Sequence, residues 1–213
     1  MNKIKAVIFD VGGVLALGKS PPIYRKGKYH SLGVHEYVAK KLKISIDQYF
    51  DSIDTAYAKS VEGRFSKKQV LDLFAKNFRR SPIKLKKIYK RALNENFKQN
   101  KQLFKQAFKL KKLGYKIAVL SDQWHLSKEI LMPDKLYKKF DVVIVSCDVK
   151  MRKPNPKIYK LTLKKLKLKP FECVFIDNKK WNTEPAKKLG INTILFKDNE
   201  QLFKNKMWRG LFR

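Results

Sequence analysis

Acidic residues are scarce in this 213-residue chain: 18 Asp and Glu stand against 50 Lys and Arg, for a formal charge of +32. That imbalance predicts a solvated basic surface that attracts polyanions non-specifically and releases them in salt. Arginine is rare too, only 8 of those 50 basic residues. Sites that read bases or hold phosphates in a fixed geometry favour the planar guanidinium, so specific nucleic-acid reading is not expected. No helix-turn-helix, zinc-finger or aromatic RNA-binding motif stands against that view. Two cysteines, Cys147 and Cys173, are too few for a disulfide framework and sit in or beside apolar runs. They read as small buried hydrophobes in a reducing compartment. The three histidines, His30, His35 and His125, form no HxxxH or Cys–His set, which excludes a zinc site by spacing. All three are expected in solvated or inserted positions, although His125 follows Ser121-Asp122 closely enough to reach the crevice described below. No apolar run approaches the roughly 20 residues of a membrane span. Met1-Asn2-Lys3 leads straight into an apolar strand without a leader segment. The expectation is a soluble, cytoplasmic protein without a membrane partner.

What is present is a folding composition, 44% hydrophobic and 12% aromatic. Its length suits one core with a smaller appendage. Ala6-Val7-Ile8-Phe9 is a continuous apolar run, the signature of a strand buried on both faces. Four more follow at 116–120, 142–145, 173–176 and 193–196. Helical patterns lie between them. Leu103 to Leu113 is apolar at 103, 107, 110 and 113 and closed by Gly114; Pro156 to Leu166 is a second helix. Thr183 to Leu189 is a third, with Asn182 as its N-cap and Gly190 beyond it. This alternation predicts an α/β protein with a Rossmann-like parallel sheet covered on both faces. About 100 residues separate the first two strands, far more than one crossover needs. Ser45-Ile-Asp-Gln48 and Ser66-Lys-Lys-Gln69 fit the capping box, and Ser81-Pro82 starts another helix. Residues 17–100 therefore read as a helical insertion, entered through a linker at Lys19-Ser-Pro-Pro22, with 1–16 and 101–213 forming the core. Asp198 to Gln201 opens a C-terminal helix, and "KMWRGLFR" reads as a docked tail.

The polar residues that follow the strands are the informative ones. Asp10 ends the first strand, Ser121-Asp122 the second, Ser146 the third and Asp177-Asn178 the fourth. In an open parallel sheet these ends share one edge, where ligands bind. A single such residue is ordinary turn chemistry, and Asp10 alone could be no more than that. Several carboxylates, a serine and nearby Lys153 at one edge suggest a site.

Asp10-Val-Gly-Gly-Val14, Ser121, "MRKPNPKIY" (Met151 to Tyr159) and "VFIDNKKWN" (Val174 to Asn182) resemble, in order, the four motifs of the haloacid dehalogenase-like hydrolases. "EGRFSKKQVL" (Glu62 to Leu71) resembles part of the helical cap that those proteins insert after the first strand. Glycine at the second acidic position of the first motif is similar to a branch of small sugar-phosphate phosphatases. The resemblance implies a Mg²⁺-dependent phosphatase acting on a small phosphorylated metabolite. Asp10 would attack phosphorus and form an aspartyl phosphate, with Ser121 and Lys153 as its catalytic partners. Asp10, the Gly12 backbone carbonyl, Asp177 and Asn178 would hold the metal, and Gly13 and Asp122 would lie near the phosphate.

The sequence departs from that pattern at four places. Gly12 stands where most such phosphatases have an Asp general acid, and a glycine cannot transfer a proton. Asn178 replaces a second acidic residue, Asp122 an Asn, and Lys150 a Gly. Two other readings follow. One is a metal-independent L-2-haloacid dehalogenase, which Tyr159 and Trp181 resemble, whereas Gly12 and Asp122 depart from it. The other is a catalytically inactive scaffold that binds. Trp124 is expected to face the insertion, and Trp181 to pack at a helix start.

Overall fold

The computed structural model describes residues 3–18, 24–25, 28–29 and 33–212. The expected linker at 19–22 and His30 lie outside them. The chain begins with β1 (Ala6–Phe9), runs through β2 (Ala16–Gly18) and a two-residue pairing of β3 (Tyr24–Arg25) with β4 (Lys28–Tyr29), and then enters helices. These are α1 (Val34–Leu42), α2 (Ile46–Val61), α3 (Lys67–Phe78) and α4 (Pro82–Asn96), followed by β5 (Phe97–Gln99) and α5 (Lys101–Lys112). Beyond them come β6 (Lys116–Ser121), α6 (His125–Leu131), α7 (Asp134–Tyr137), β7 (Val142–Val145), α8 (Ser146–Val149) and α9 (Pro156–Leu166). The chain ends with β8 (Cys173–Asp177), α10 (Lys180–Lys188), β9 (Asn192–Leu195), α11 (Asn199–Lys204) and α12 (Lys206–Gly210).

Five strands form one sheet in the order β7-β6-β1-β8-β9, every pairing parallel. In β1, β6 and β8 the continuous apolar runs follow from burial on both faces, whereas the edge strands β7 and β9 leave Val143 and Leu195 exposed. Val7 and Phe9 point into one apolar cluster with Leu103, Ala107 and Leu110 of α5 and Trp208 of α12. Ala6 and Ile8 point into another with Ile158, Leu163 and Leu166 of α9 and Ala186 of α10. The C-terminal tail is thus docked, with Trp208 and Leu211 buried.

The segment between β1 and β6 leaves and returns through one antiparallel ribbon, β2 against β5. Asn100 ties that ribbon to the sheet. Its backbone N–H bonds the Leu15 carbonyl (2.8 Å), its side-chain amide bonds the Val14 carbonyl (2.9 Å), and its Oδ1 caps α5 by accepting from Leu103 (3.2 Å). Both capping boxes are formed, at Ser45–Gln48 and Ser66–Gln69, and Ser81 accepts from the Lys84 N–H. The four helices enclose an apolar cluster of their own, including Tyr49, Ile53, Phe74, Leu85 and Tyr89. Trp124 and Leu126 complete that cluster, although both come from the segment after β6.

The third expected helix starts earlier than its pattern suggests. α10 begins at Lys180, so Asn182 lies inside its first turn instead of capping it. The reason is chemical: the Asn182 side chain is committed to Asp177, as described next. Trp181 does not pack at the helix start either. It is 62% exposed, with the Lys179 ammonium 5.2 Å from its ring centre.

Candidate active site

Register brings the polar residues together. Phe9 sits opposite Val119 of β6 and Ile176 of β8, so the residues that follow, Asp10, Leu120 and Asp177, emerge side by side at the C-terminal edge. The Asp10 N–H bonds the Ile176 carbonyl (2.9 Å), which fixes the turn. Lys153 arrives from the loop between α8 and α9 and is almost completely buried. Its ammonium donates to Asp10 Oδ1 (2.9 Å), Asp177 Oδ2 (2.7 Å) and the Leu120 carbonyl (3.3 Å). The Phe175 ring lies 5.5 Å beneath it.

Two buried carboxylates share this one ammonium, leaving about one unit of uncompensated negative charge, which is costly away from water. Burial pushes Asp10 up to about 6; Lys153 pulls it down, while Asp177 adds to the rise. For Lys153 burial favours the neutral amine, but Asp10, Asp177 and Asp122 outweigh it and hold the ammonium charged. Asp177 is the better satisfied carboxylate. Its Oδ1 accepts the Lys179 N–H (2.7 Å), and its Oδ2 accepts the Asn182 amide (3.0 Å) as well as Lys153.

Gly13 has φ of +85°, where an L side chain is strained, and its N–H bonds the Ala16 carbonyl (2.8 Å). A Cβ there would stand 2.3 Å from the Asn178 amide nitrogen. Asn178 is packed against that glycine, and its Oδ1 is buried with no hydrogen-bond partner. Gly12 differs: a Cβ at this position would meet nothing nearer than Gln123 Nε2 at 4.0 Å. Asp122 turns one oxygen to the Lys153 backbone N–H (3.0 Å), and burial raises its carboxyl above the ordinary range. Ser121 is fully buried and accepts from Gln123 Nε2 (3.1 Å). Ser146 hydrogen-bonds the Gln123 backbone.

The edge therefore gathers Asp10, Gly12, Gly13, Ser121, Asp122, Lys153, Asp177 and Asn178. Hard oxygen donors, a residual negative charge and an orphaned amide oxygen are the features that a small divalent cation satisfies. Among the described residues no three His, Cys, Asp or Glu side chains form a metal-sized cluster, so an amide and a backbone oxygen would have to complete the set.

Sequence reasoning missed Gln123, a polar residue only two positions past Ser121, and mistook Asn182 for a helix cap. A spacing of five from Asp177 was the available signal for Asn182. His35 is half-buried and bonds the Tyr49 hydroxyl (3.1 Å), away from this edge. Lys150, in place of glycine, has φ of +55°.

The insertion meets the edge through aromatics. Trp124 packs edge-on to Tyr57 (5.4 Å) and Tyr89 (5.2 Å) and near Phe74 (5.8 Å). Tyr57 lies within electrostatic reach of Arg152 and Asp122. Gly63, φ +65°, lets the insertion approach the Cys147 carbonyl so closely that a Cβ would sit 2.5 Å from it.

The model of the haloacid dehalogenase-like hydrolases matches residues 4–190. Bifunctional epoxide hydrolase 2 of Sus scrofa is 30% identical over 92% of this chain and 37% of its own length. The chain thus spans little more than a third of that relative. (S)-2-haloacid dehalogenase 4A of Burkholderia cepacia is 36% identical over 40% of this chain and 38% of its own. Glyceraldehyde 3-phosphate phosphatase of Pyrococcus furiosus is 31% identical over 44% and 40%. Among solved structures, a HAD family enzyme of Bacteroides thetaiotaomicron matches the whole of both chains with a TM-score of 0.76 at 21% identity. The same enzyme in complex with magnesium and inorganic phosphate matches over 94% of this chain and all of that one, TM-score 0.71 at 22% identity. Fold, motif order and sequence relatives agree: this chain belongs to the haloacid dehalogenase-like hydrolases.

Proposed function

We propose that the chain is a Mg²⁺-dependent phosphatase acting on a small phosphomonoester. The observation that carries this reading is the Asp10–Lys153–Asp177 cluster with the orphaned Asn178 oxygen beside it. A phosphate dianion approaching Asp10 needs positive charge, and Lys153 supplies one unit of it. Ser121 donates its hydroxyl hydrogen to a phosphoryl oxygen. Asp10 attacks phosphorus, the bond to the ester oxygen breaks, and the departing alkoxide takes a proton from water because Gly12 offers none. Water then hydrolyses the aspartyl phosphate, releasing inorganic phosphate and restoring the carboxylate. Bound Mg²⁺, held by Asp10, Asp177, the Asn178 amide and the Gly12 carbonyl, would supply further charge neutralisation. The magnesium and phosphate complex of the Bacteroides enzyme supports that choice of ion. The helical insertion acts as a cap, with Tyr57, partly exposed and near Arg152 and Asp122, on the side toward the leaving group.

One observation favours a second reading. Both Asp177 oxygens are committed to protein donors, which suits a haloacid dehalogenase in which Asp10 attacks carbon and expels halide.

The test is hydrolysis of an activated aryl phosphate with and without Mg²⁺, beside Asp10→Asn. Metal-dependent turnover that is absent in the variant is expected. Chloride release from a 2-chloroacid in EDTA, with no phosphatase activity, would replace this reading by the second. Inactivity in both assays would leave a binding scaffold.

A further inference from the structure

Ser121 Oγ accepts a hydrogen bond from Gln123 Nε2 at 3.1 Å. Gln123 is itself buried and held from three directions. Ser127 of α6 donates its hydroxyl to Gln123 Oε1 (2.6 Å), also lying 3.2 Å from the Trp124 carbonyl. Ser146, the first residue of α8, accepts from the Gln123 backbone N–H (3.1 Å) and donates to its carbonyl (3.2 Å). The amide nitrogen also overhangs the open space above Gly12. Of these four residues the chemistry above uses Ser121 alone; Gln123, Ser127 and Ser146 have no part in it.

We propose that Gln123 is a positioning residue that holds Ser121 as a hydrogen-bond donor to the substrate's phosphoryl oxygen. This rests on the phosphatase reading. A serine hydroxyl has one proton and two lone pairs, and a free rotor offers either to a ligand. An amide N–H aimed at one lone pair leaves the proton to point elsewhere. With Ser127 Oγ donating to Oε1 at 2.6 Å, the atom that the amide turns toward Ser121 is its N–H donor. The hydroxyl is thus oriented before substrate arrives, which is the condition under which a donor contributes most to the transition state. Gln123 makes this contribution through Ser121 alone and is assigned no contact with substrate.

A double-mutant cycle on aryl phosphate hydrolysis tests it, using Gln123→Met, Ser121→Ala and the pair. Removing one preorganised donor typically costs about 10²–10³ in kcat, which sets the scale for Ser121→Ala. Gln123→Met is expected to lower kcat about tenfold with KM nearly unchanged, and to cost less than about threefold once Ser121 is alanine. Equal losses in both backgrounds, or none in either, would overturn the assignment and leave the phosphatase reading intact. Wild-type protein without turnover would remove both. Thermal melting establishes that each variant is folded. Should Gln123→Met fail to fold, Ser127→Ala removes the group that sets the amide and is expected to lose kcat only where Ser121 is present.

Discussion

At the scale of single residues, two adjacent glycines make opposite demands. Gly13 has a positive φ and no room for a Cβ, which would press on the Asn178 amide at 2.3 Å. Gly13→Ala should therefore displace Asn178, remove activity and cost about 2 kcal/mol or more in urea unfolding. Gly12 has open space. Gly12→Asp should fold, at a cost of about 1–3 kcal/mol because it adds a carboxylate to a site already short of positive charge. On the phosphatase reading it places a carboxyl where a leaving oxygen needs a proton, so turnover of esters with poor leaving groups should rise, by as much as about 10². An unchanged leaving-group dependence in that variant would show that position 12 is not where the proton is missing. Both glycines were visible in the sequence, but only the backbone conformation separates them. Asp10, Ser121, Lys153 and Asp177 were legible because each stands at the end of a buried strand or inside a familiar motif. Gln123 was not, because what sets it apart is which atom its amide turns to Ser121, and no spacing rule carries that.

At the scale of elements, strands and helix starts were legible where local chemistry decides them. The three central strands are apolar on both faces because both are covered, and Ser45, Ser66 and Ser81 cap their helices through their own hydroxyls. The order of the strands was not legible: it depends on which crossover passes which face, and the runs at β6, β8 and β1 are equally apolar. The start of α10 was misread because Asn182 is claimed by Asp177 (3.0 Å), a tertiary contact that overrides its local preference. These two kinds of stabilisation should separate in measurement. Ser66→Ala loses one capping box and should cost about 1 kcal/mol. Trp124→Ala removes a buried indole from among Tyr57, Phe74 and Tyr89 and should cost about 3–5 kcal/mol. Amide exchange should then quicken across α2 to α4 while β1 and β8 stay protected, provided the insertion opens as its own cooperative unit. Uniform quickening across the sheet would show one cooperative unit instead.

For the molecule as a whole, charge and shape carry different information. The net charge of +32 is carried mainly by lysines, and no helix of the described residues is long and apolar enough to cross a membrane. Binding to heparin or mixed DNA should fall steeply with salt and show no preference among sequences. Selective binding that survives about 0.5 M salt would mean that the basic surface contains a specific site. The way the insertion is seated has a separate consequence. Trp124 and Leu126 belong to its apolar cluster, and Glu129 of the same seven-residue helix pairs with Lys67 of α3 and lies 3.9 Å from Lys86 of α4. The unit that inheritance can exchange is therefore discontinuous. A chimera that borrows its helical bundle from a relative and joins it at Asn100 would strand a tryptophan in water and present the newcomer with a foreign surface. Exchanging residues 122–131 along with the bundle, while α5 and β6 stay in place, transfers the bundle together with the helix it was built around and the loop that carries Gln123.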